Sequence, residues 1–169
     1  MAPRSLCILL VEDDEIDAEF FLRCLRRQGS PLEVTVAGNA LEALQILRGQ
    51  PGRPPLAEPY VILLDLGLPG MHGFEFLQEL RSDPRLKASK VFVLSGSVSK
   101  HDRRRAYEYK VVGYLPKSVF IDYWAPLIKL IECVGILPEV KEQDWLTPTS
   151  RPRGEETGTT TGQSSDPLP

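Results

Sequence analysis

One run of residues limits the possible folds of this chain more than any other: Tyr60-Val61-Ile62-Leu63-Leu64-Asp65. An unbroken apolar run of this kind is typical of a strand that is buried on both faces, as the central strands of parallel sheets are. A turn-forming stretch with two glycines and a proline follows at 66–70. Because sites in open parallel α/β sheets form at the carboxyl ends of the strands, Asp65 is a candidate functional residue.

Four more strands and five helices are predicted around this run. The strands are predicted at 6–11, 32–36, 91–95 and 111–115, and the helices at about 15–28, 40–47, 74–82, 99–110 and 121–134. Strands that alternate with helices indicate a parallel sheet with helices on both faces. The pattern predicts a doubly wound (βα)5 fold of the flavodoxin-like type with strand order 2-1-3-4-5, in which the alternating second strand lies at an edge.

Composition limits the class of protein and its organisation. The 169 residues suffice for one domain with a sizeable core, which we place at 1–137, and for a C-terminal extension at 138–169 that we expect to be disordered from about residue 147. The net charge of −3 argues against general nucleic-acid binding. No run approaches the roughly 20 apolar residues of a membrane span. The three cysteines are widely spaced and are expected to be buried thiols, which suits the cytoplasm.

Side chains with site chemistry follow four of the five predicted strands. Glu12 and Asp13 come after the first strand, Asp65 ends the third, Ser95 ends the fourth and Lys117 follows the fifth. Each alone has an ordinary explanation as a helix cap or a solvated charge, but their joint placement at one edge of the sheet is specific. Three carboxylates gathered there repel one another, and a divalent cation with oxygen ligands relieves that repulsion.

These residues together predict phosphoryl chemistry. Mg²⁺ is the expected cation, held by the three acids and by the backbone carbonyl of Gly67. Asp65 is then placed to act as a nucleophile toward phosphorus and to form an aspartyl phosphate. The Lys117 ammonium would neutralise part of the phosphoryl charge, and the Ser95 hydroxyl would donate a hydrogen bond to a phosphoryl oxygen.

The chain resembles a receiver domain of a two-component response regulator over residues 6–135. The matching segments are 8–14 (ILLVEDD), 63–73 (LLDLGLPGMHG), 93–96 (VLSG) and 113–117 (GYLPK). The resemblance implies a phosphoprotein in phosphorelay signal transduction rather than an enzyme. It implies that Glu12 and Asp13 are metal acids, that Asp65 accepts the phosphoryl group, and that Tyr114 is the aromatic switch residue. Ser95 and Lys117 would then sense the phosphoryl group.

Two positions depart from the family pattern. Ser118 stands where the family usually has a proline after the site lysine, and Gly67 lacks the side chain that many relatives carry there. The Lys117-Ser118 pair and the segment 82–87 are similar to single-domain regulators that partner bacterial phytochrome kinases. This narrower resemblance implies a sensor histidine kinase, of the bacteriophytochrome type, as the partner.

Two other classes of protein compete with this interpretation. A phosphatase that uses an aspartate nucleophile needs a second acid two residues later, where this chain has Gly67. A phosphorylation-independent interaction scaffold on a receiver fold is the remaining alternative, and it predicts that a site residue is missing.

The fifth predicted helix suggests self-association. Trp124, Leu127, Ile128 and Ile131 form an inward stripe, whereas Tyr123, Leu130 and Val134 form a second apolar stripe beside Val111 and Val112. Exposed apolar surfaces of this kind usually mark interfaces. We expect a twofold homodimer through the fourth helix, fifth strand and fifth helix. The alternative is that the segment 138–146 folds back over this surface.

Overall fold

The structure is a computed structural model that describes residues 6–136, apart from the side chains at 119–124 and 134–136. Five parallel strands form one sheet: β1 Cys7–Val11, β2 Glu33–Ala37, β3 Tyr60–Asp65, β4 Lys90–Ser95 and β5 Gly113–Pro116. Their order is β2-β1-β3-β4-β5, so the predicted flavodoxin-like topology is confirmed. The expectations for residues 138–169, including a fold-back of 138–146, lie outside the described residues.

Five helices connect and flank the strands: α1 Glu15–Arg27, α2 Ala40–Arg48, α3 Gly73–Ser82, α4 Lys100–Glu108 and α5 Phe120–Ile136. A short 3₁₀ helix, Lys117–Val119, leads from β5 into α5. Side-chain oxygens begin three of the helices. The carboxylate of Asp14, the amide of Asn39 and the hydroxyl of Ser99 accept backbone N–H groups of α1, α2 and α4, respectively.

The sheet separates two hydrophobic cores, because successive strand residues point to opposite faces. One face carries residues such as Leu9, Ile62 and Val93 and packs against α2 and α3. The other carries Ile8, Leu63 and Phe92 and packs against α1 and α5. Both faces of β3 are therefore covered, and its carboxyl end projects Asp65 from the middle of the sheet.

Two local features of the fold differ from what the sequence pattern alone indicates. In α1 apolar residues repeat along more than one face, and the structure buries Ala18, Phe21 and Leu25, whereas Ile16 is 80% exposed. Strand β5 begins at Gly113 rather than residue 111, because the chain leaves α4 through Lys110 with φ 54° and reaches the sheet only at Val112, whose N–H donates to the Val91 carbonyl.

The cysteines also differ from expectation. Cys7 and Cys24 are half-buried and Cys133 is exposed, so the expectation of buried thiols was wrong. Helix α5 begins at Phe120, one residue before its predicted start, and contains Pro126 in its second turn. Within the part of the chain that the structure describes, no helix has both the length and the apolar character needed to cross a bilayer.

Candidate functional site at the carboxyl edge of the sheet

Asp65 lies at the carboxyl end of the central strand with only 8% of its surface exposed. Its Oδ1 accepts the backbone N–H of Gly67 at 3.0 Å, which fixes the carboxylate over the start of the following loop. That loop closes through the Gly73 N–H, which donates to the Leu66 carbonyl oxygen at 3.2 Å. An added Cβ at Gly73 would lie 2.6 Å from the Leu66 Cα, so this close approach requires glycine.

Two more carboxylates lie beside Asp65. Oxygen atoms of Glu12, Asp13 and Asp65 all lie within 4.8 Å of one another. Glu12 is buried and Asp13 is exposed. Burial raises the pKa of Glu12, and a hydrogen bond from Lys117 opposes that rise. Three oxygen donors of this kind, one of them open to solvent, could hold a divalent metal ion.

Lys117 brings the compensating charge to this cluster. Its Nζ donates to Glu12 Oε2 at 2.7 Å, to Asp17 Oδ2 at 2.7 Å and to Asp65 Oδ2 at 2.9 Å. Burial alone would lower the pKa of the Lys117 ammonium, but hydrogen bonds to the three carboxylates raise the pKa well above its usual value. Lysine therefore remains charged over Asp65, even though Ser118 replaces the usual proline.

Ser95 and Tyr114 are linked through one loop residue. Ser95 is buried at the end of β4, and its Oγ accepts the Ser97 N–H at 3.1 Å. The Tyr114 hydroxyl donates to the Ser97 carbonyl oxygen at 3.1 Å, so the ring is already turned inward with 8% exposure. The Ser97 hydroxyl in turn donates to Asp102 Oδ2 of α4 at 2.9 Å. Hydrogen bonds therefore connect the end of β4 to both β5 and α4.

Comparison with known proteins identifies this arrangement. The family model for the response regulator receiver domain matches residues 8–123. The chain belongs to this family. Response regulator Rcp1 of Synechocystis is 36% identical to this receiver domain over 111 residues, which are 66% of this chain and 76% of Rcp1.

Solved structures of similar receiver domains agree with the fold. The bacteriophytochrome response regulator AtBRR matches with a TM-score of 0.66 and 31% identity, covering 83% of this chain and 100% of AtBRR. Mn²⁺-bound Rcp1 matches with a TM-score of 0.61 and 30% identity, covering 92% and 99% of the two chains. The phosphorylated cyanobacterial phytochrome response regulator RcpA matches with a TM-score of 0.63 and 32% identity, covering 78% and 91%.

The structure brings together every site residue predicted from the sequence of this receiver domain. Asp65, Ser95, Gly67 and Lys117 line one cleft, with Glu12 and Asp13 beside it. Tyr114 lies behind the cleft, and its hydroxyl donates a hydrogen bond to the carbonyl oxygen of Ser97, a residue of the cleft. The functional roles assigned to these residues remain predictions, because proximity alone does not establish them.

Sequence analysis did not predict several residues of the same cleft. Asp17 contacts Lys117, and the signal that could have found it is its place in the first turn of the helix that follows the site acids. His72, Phe74 and Arg105 form a stack at the other end. The His72 and Phe74 rings are 5.7 Å apart and nearly parallel, and the Arg105 guanidinium lies 4.1 Å above the Phe74 ring. This stack joins the loop after β3 to α4, and no local sequence pattern indicates it.

Proposed function

We propose that this receiver domain acts as a response regulator that accepts a phosphoryl group on Asp65 from a sensor histidine kinase. The observation that carries the proposal is the position of Asp65: a buried carboxylate at the end of the central strand, 2.9 Å from Lys117 and within a cluster of two more acids. A carboxylate oxygen of Asp65 is the nucleophile in this proposal, and the Lys117 ammonium lies within hydrogen-bond distance of it. The sequence similarity to the response regulator Rcp1 and the existence of a phosphorylated form of the similar protein RcpA support phosphorylation of this receiver domain.

The reaction follows from the donors around Asp65. A carboxylate oxygen attacks the phosphorus atom of a phosphohistidine, the phosphorus–nitrogen bond breaks, and the released imidazole takes a proton from solvent. Lys117 exchanges its hydrogen bond to Asp65 Oδ2 for one to a phosphoryl oxygen. Ser95 lies on the neighbouring strand and supplies a hydroxyl donor to another phosphoryl oxygen, so charge on the transferring group is stabilised from two sides.

Mg²⁺ is the metal that we propose for the acid cluster. Glu12, Asp13 and Asp65 would hold it together with the Gly67 carbonyl, since a hard cation with some waters prefers such an all-oxygen set. When bound, Mg²⁺ neutralises negative charge on the phosphoryl group as it transfers. The Mn²⁺-bound form of the similar protein Rcp1 supports binding of a divalent cation.

Output is proposed to run through the surface formed by α4, β5 and α5. Ser95 and Tyr114 share Ser97 as a hydrogen-bond partner, through its N–H and its carbonyl. If the Ser95 hydroxyl moves toward a phosphoryl group, its hydrogen bond from the Ser97 N–H would break. Ser97 could then shift, and its hydrogen bonds to Tyr114 and to Asp102 of α4 would change with it. The phosphoryl group then biases a two-state surface.

Incubation of the purified chain with acetyl phosphate and Mg²⁺, followed by intact-mass spectrometry, tests the proposal. We expect one phosphoryl adduct on the wild-type chain and none on Asp65→Asn. Asp83→Asn is the matched control, because Asp83 lies at the C-terminal end of α3, at the opposite edge of the sheet. Labelling of Asp65→Asn at the wild-type level would refute the acceptor assignment. Absence of any adduct on a folded wild-type chain would favour the phosphorylation-independent scaffold.

The cognate kinase is proposed to be a bacteriophytochrome-type histidine kinase, on the basis of similarity to AtBRR, Rcp1 and RcpA. Histidine kinases use cytoplasmic ATP, so we place this receiver domain in the cytoplasm. Phosphotransfer from such a kinase, compared with transfer from an unrelated histidine kinase at equal concentration, tests the partnership. Equal transfer from both would refute the preference.

We also propose a twofold homodimer, with the contact centred on α5 and β5. Leu130 of α5 is 48% exposed, whereas Leu127, Ile128 and Ile131 are buried in the core. Val111, which was expected at the same surface, is only 4% exposed and packs in the other core, so that part of the expectation was wrong. The part of α4 in this contact stays a prediction.

Sedimentation velocity at micromolar concentration tests the dimer. We expect Leu130→Glu to shift the chain to the monomer, because a charge would be buried in the contact. Leu41→Glu is the control, since Leu41 is a leucine of α2 with 57% exposure. A wild-type chain that is monomeric with and without phosphorylation, or a dimer insensitive to Leu130→Glu, would refute this contact.

A further inference from the structure

Lys117 has one partner that belongs neither to the strand ends nor to the acid cluster. Asp17 lies in the first turn of α1 and is half-exposed, yet its Oδ2 is 2.7 Å from the Lys117 Nζ, the same distance as Glu12 Oε2. The group of acids that could hold a metal comprises Glu12, Asp13 and Asp65 and does not include Asp17. Asp17 therefore needs a separate explanation.

The hydrogen-bonding capacity of Lys117 is saturated in this structure. A lysine ammonium has three N–H donors, and Glu12, Asp17 and Asp65 provide an acceptor for each of them. The ammonium is carried on a flexible four-carbon stem, so its position depends on these partners rather than on its own rotamer.

The three acceptors differ in what they do during the proposed reaction. Asp65 becomes the phosphoryl acceptor, so its bond to Lys117 passes to a phosphoryl oxygen. Glu12 would share its oxygens with the metal, which weakens it as an acceptor for Lys117. Asp17 keeps its lone pairs for Lys117 throughout.

We propose that Asp17 is a positioning residue that holds the Lys117 ammonium over Asp65 while the phosphoryl group is transferred. This inference rests on the function proposed above and adds to it a residue of α1. Asp17 touches neither the phosphoryl donor nor the reacting atoms, and it acts only through Lys117.

A simpler role for Asp17 is to stabilise the helix, because acids are favoured in the first turn of a helix. Glu15 provides a matched control for that role. It is an exposed acid in the same turn of α1, so Glu15→Gln removes the same charge from the same helix end without removing a partner of Lys117. An effect of helix stability or of net charge would appear equally in both variants.

The test measures the rate of phosphorylation by acetyl phosphate at saturating Mg²⁺ in a double-mutant cycle. We expect Asp17→Asn to be roughly two- to fivefold slower at saturating donor, the range for loss of a half-exposed ion pair, with an unchanged half-saturation concentration. Glu15→Gln should match the wild type, and Asp17→Glu should recover most of the rate. In a Lys117→Gln background, Asp17→Asn should cause no further loss, because its effect passes through Lys117.

A second measurement separates failure of this inference from failure of the proposed function. The same cycle of Asp17→Asn and Lys117→Gln is measured by urea unfolding, which requires no phosphorylation, and should show the two sites coupled. A wild-type chain that takes up no phosphoryl group overturns the proposed function and this role with it. Three outcomes with a phosphorylated wild type overturn the role of Asp17 alone. Asp17→Asn could react at the wild-type rate, it could lose as much rate in the Lys117→Gln background as in the wild type, or the two sites could show no coupling in urea unfolding.

Discussion

Replacement of Lys117 by methionine tests the electrostatic balance of the site without any phosphoryl donor. Methionine keeps the length of the apolar stem but removes the ammonium that contacts Glu12 and Asp65. Both carboxylates are buried, so each would lose its charged partner without gaining water. We expect the folded state to lose stability at pH 7 in the absence of divalent cations.

The size of this loss follows from the burial of the two carboxylates. Removing one partner of a buried ion pair costs about 3–5 kcal/mol. Because the Lys117 side chain is 24% exposed, we take the lower end, about 3 kcal/mol. With a urea m-value of about 1.5 kcal/mol/M, the midpoint should fall by about 2 M.

The loss should depend on pH and on Mg²⁺. The folded-state pKa of Glu12 is raised above its unfolded value of 4.5 by burial, and removal of Lys117 raises that pKa further. A carboxyl with a raised folded-state pKa favours folding below its unfolded pKa, and this stability is lost as the pH rises through the folded-state pKa. The difference from wild type should therefore shrink as the pH falls from 7 toward the unfolded-state pKa of Glu12. Added Mg²⁺ should stabilise the variant more than the wild type.

Urea unfolding followed by circular dichroism measures these effects, with Lys87→Met as the control. Lys87 is exposed in the turn between α3 and β4, so its replacement should leave the midpoint unchanged. If Lys117→Met unfolds within about 0.5 kcal/mol of the wild type at pH 7 without Mg²⁺, the carboxylates are not compensated by Lys117 and the reasoning is refuted.

Three further substitutions should affect stability. Gly73→Ala places a Cβ 2.6 Å from a backbone atom and should lower the free energy of unfolding in urea by about 2 kcal/mol. Gly96 has open space around it, so Gly96→Ala should cost much less. Equal losses in the two variants would contradict the close-approach argument. Arg81→Met removes a half-buried guanidinium that donates to four backbone carbonyls, and it should lower the free energy of unfolding by about 2–3 kcal/mol. An unchanged free energy of unfolding would show that water satisfies these carbonyls equally well. Tyr114→Phe removes the hydrogen bond to the Ser97 carbonyl, and urea unfolding should show a loss of about 1 kcal/mol; no loss would exclude a role for that bond in the resting state.

Much of the fold was predictable because the local sequence pattern and the long-range packing favour the same structure for the segments concerned. The run that ends at Asp65 is apolar on both faces, which only a central strand requires, and the structure places it in the centre. The side-chain chemistry of Asn39 favours a helix start at this position, and its Oδ1 accepts the Glu42 N–H at 2.8 Å at the beginning of α2.

Other features were not predictable because they depend on packing between distant segments. In α1, the residues Ile16 and Phe20 repeat with the same spacing as Phe21 and Leu25, so periodicity could not decide which pair faces the sheet. The contact of Arg105 with Phe74 joins α4 to α3, and the sequence gives no local pattern for it. Asp17 has a local signal in its place in the first turn of α1, but its partner lies 100 residues further along the chain.

Strand β5 is an edge of the sheet, and it has only four residues, the last of which is Pro116. A proline has no N–H to offer to a neighbouring strand, and a short edge presents few main-chain groups. Addition of a strand from another chain is therefore disfavoured on this side of the domain. An association here would depend on side chains of α5 rather than on main-chain hydrogen bonds of β5, and it would not extend into a continuous intermolecular sheet.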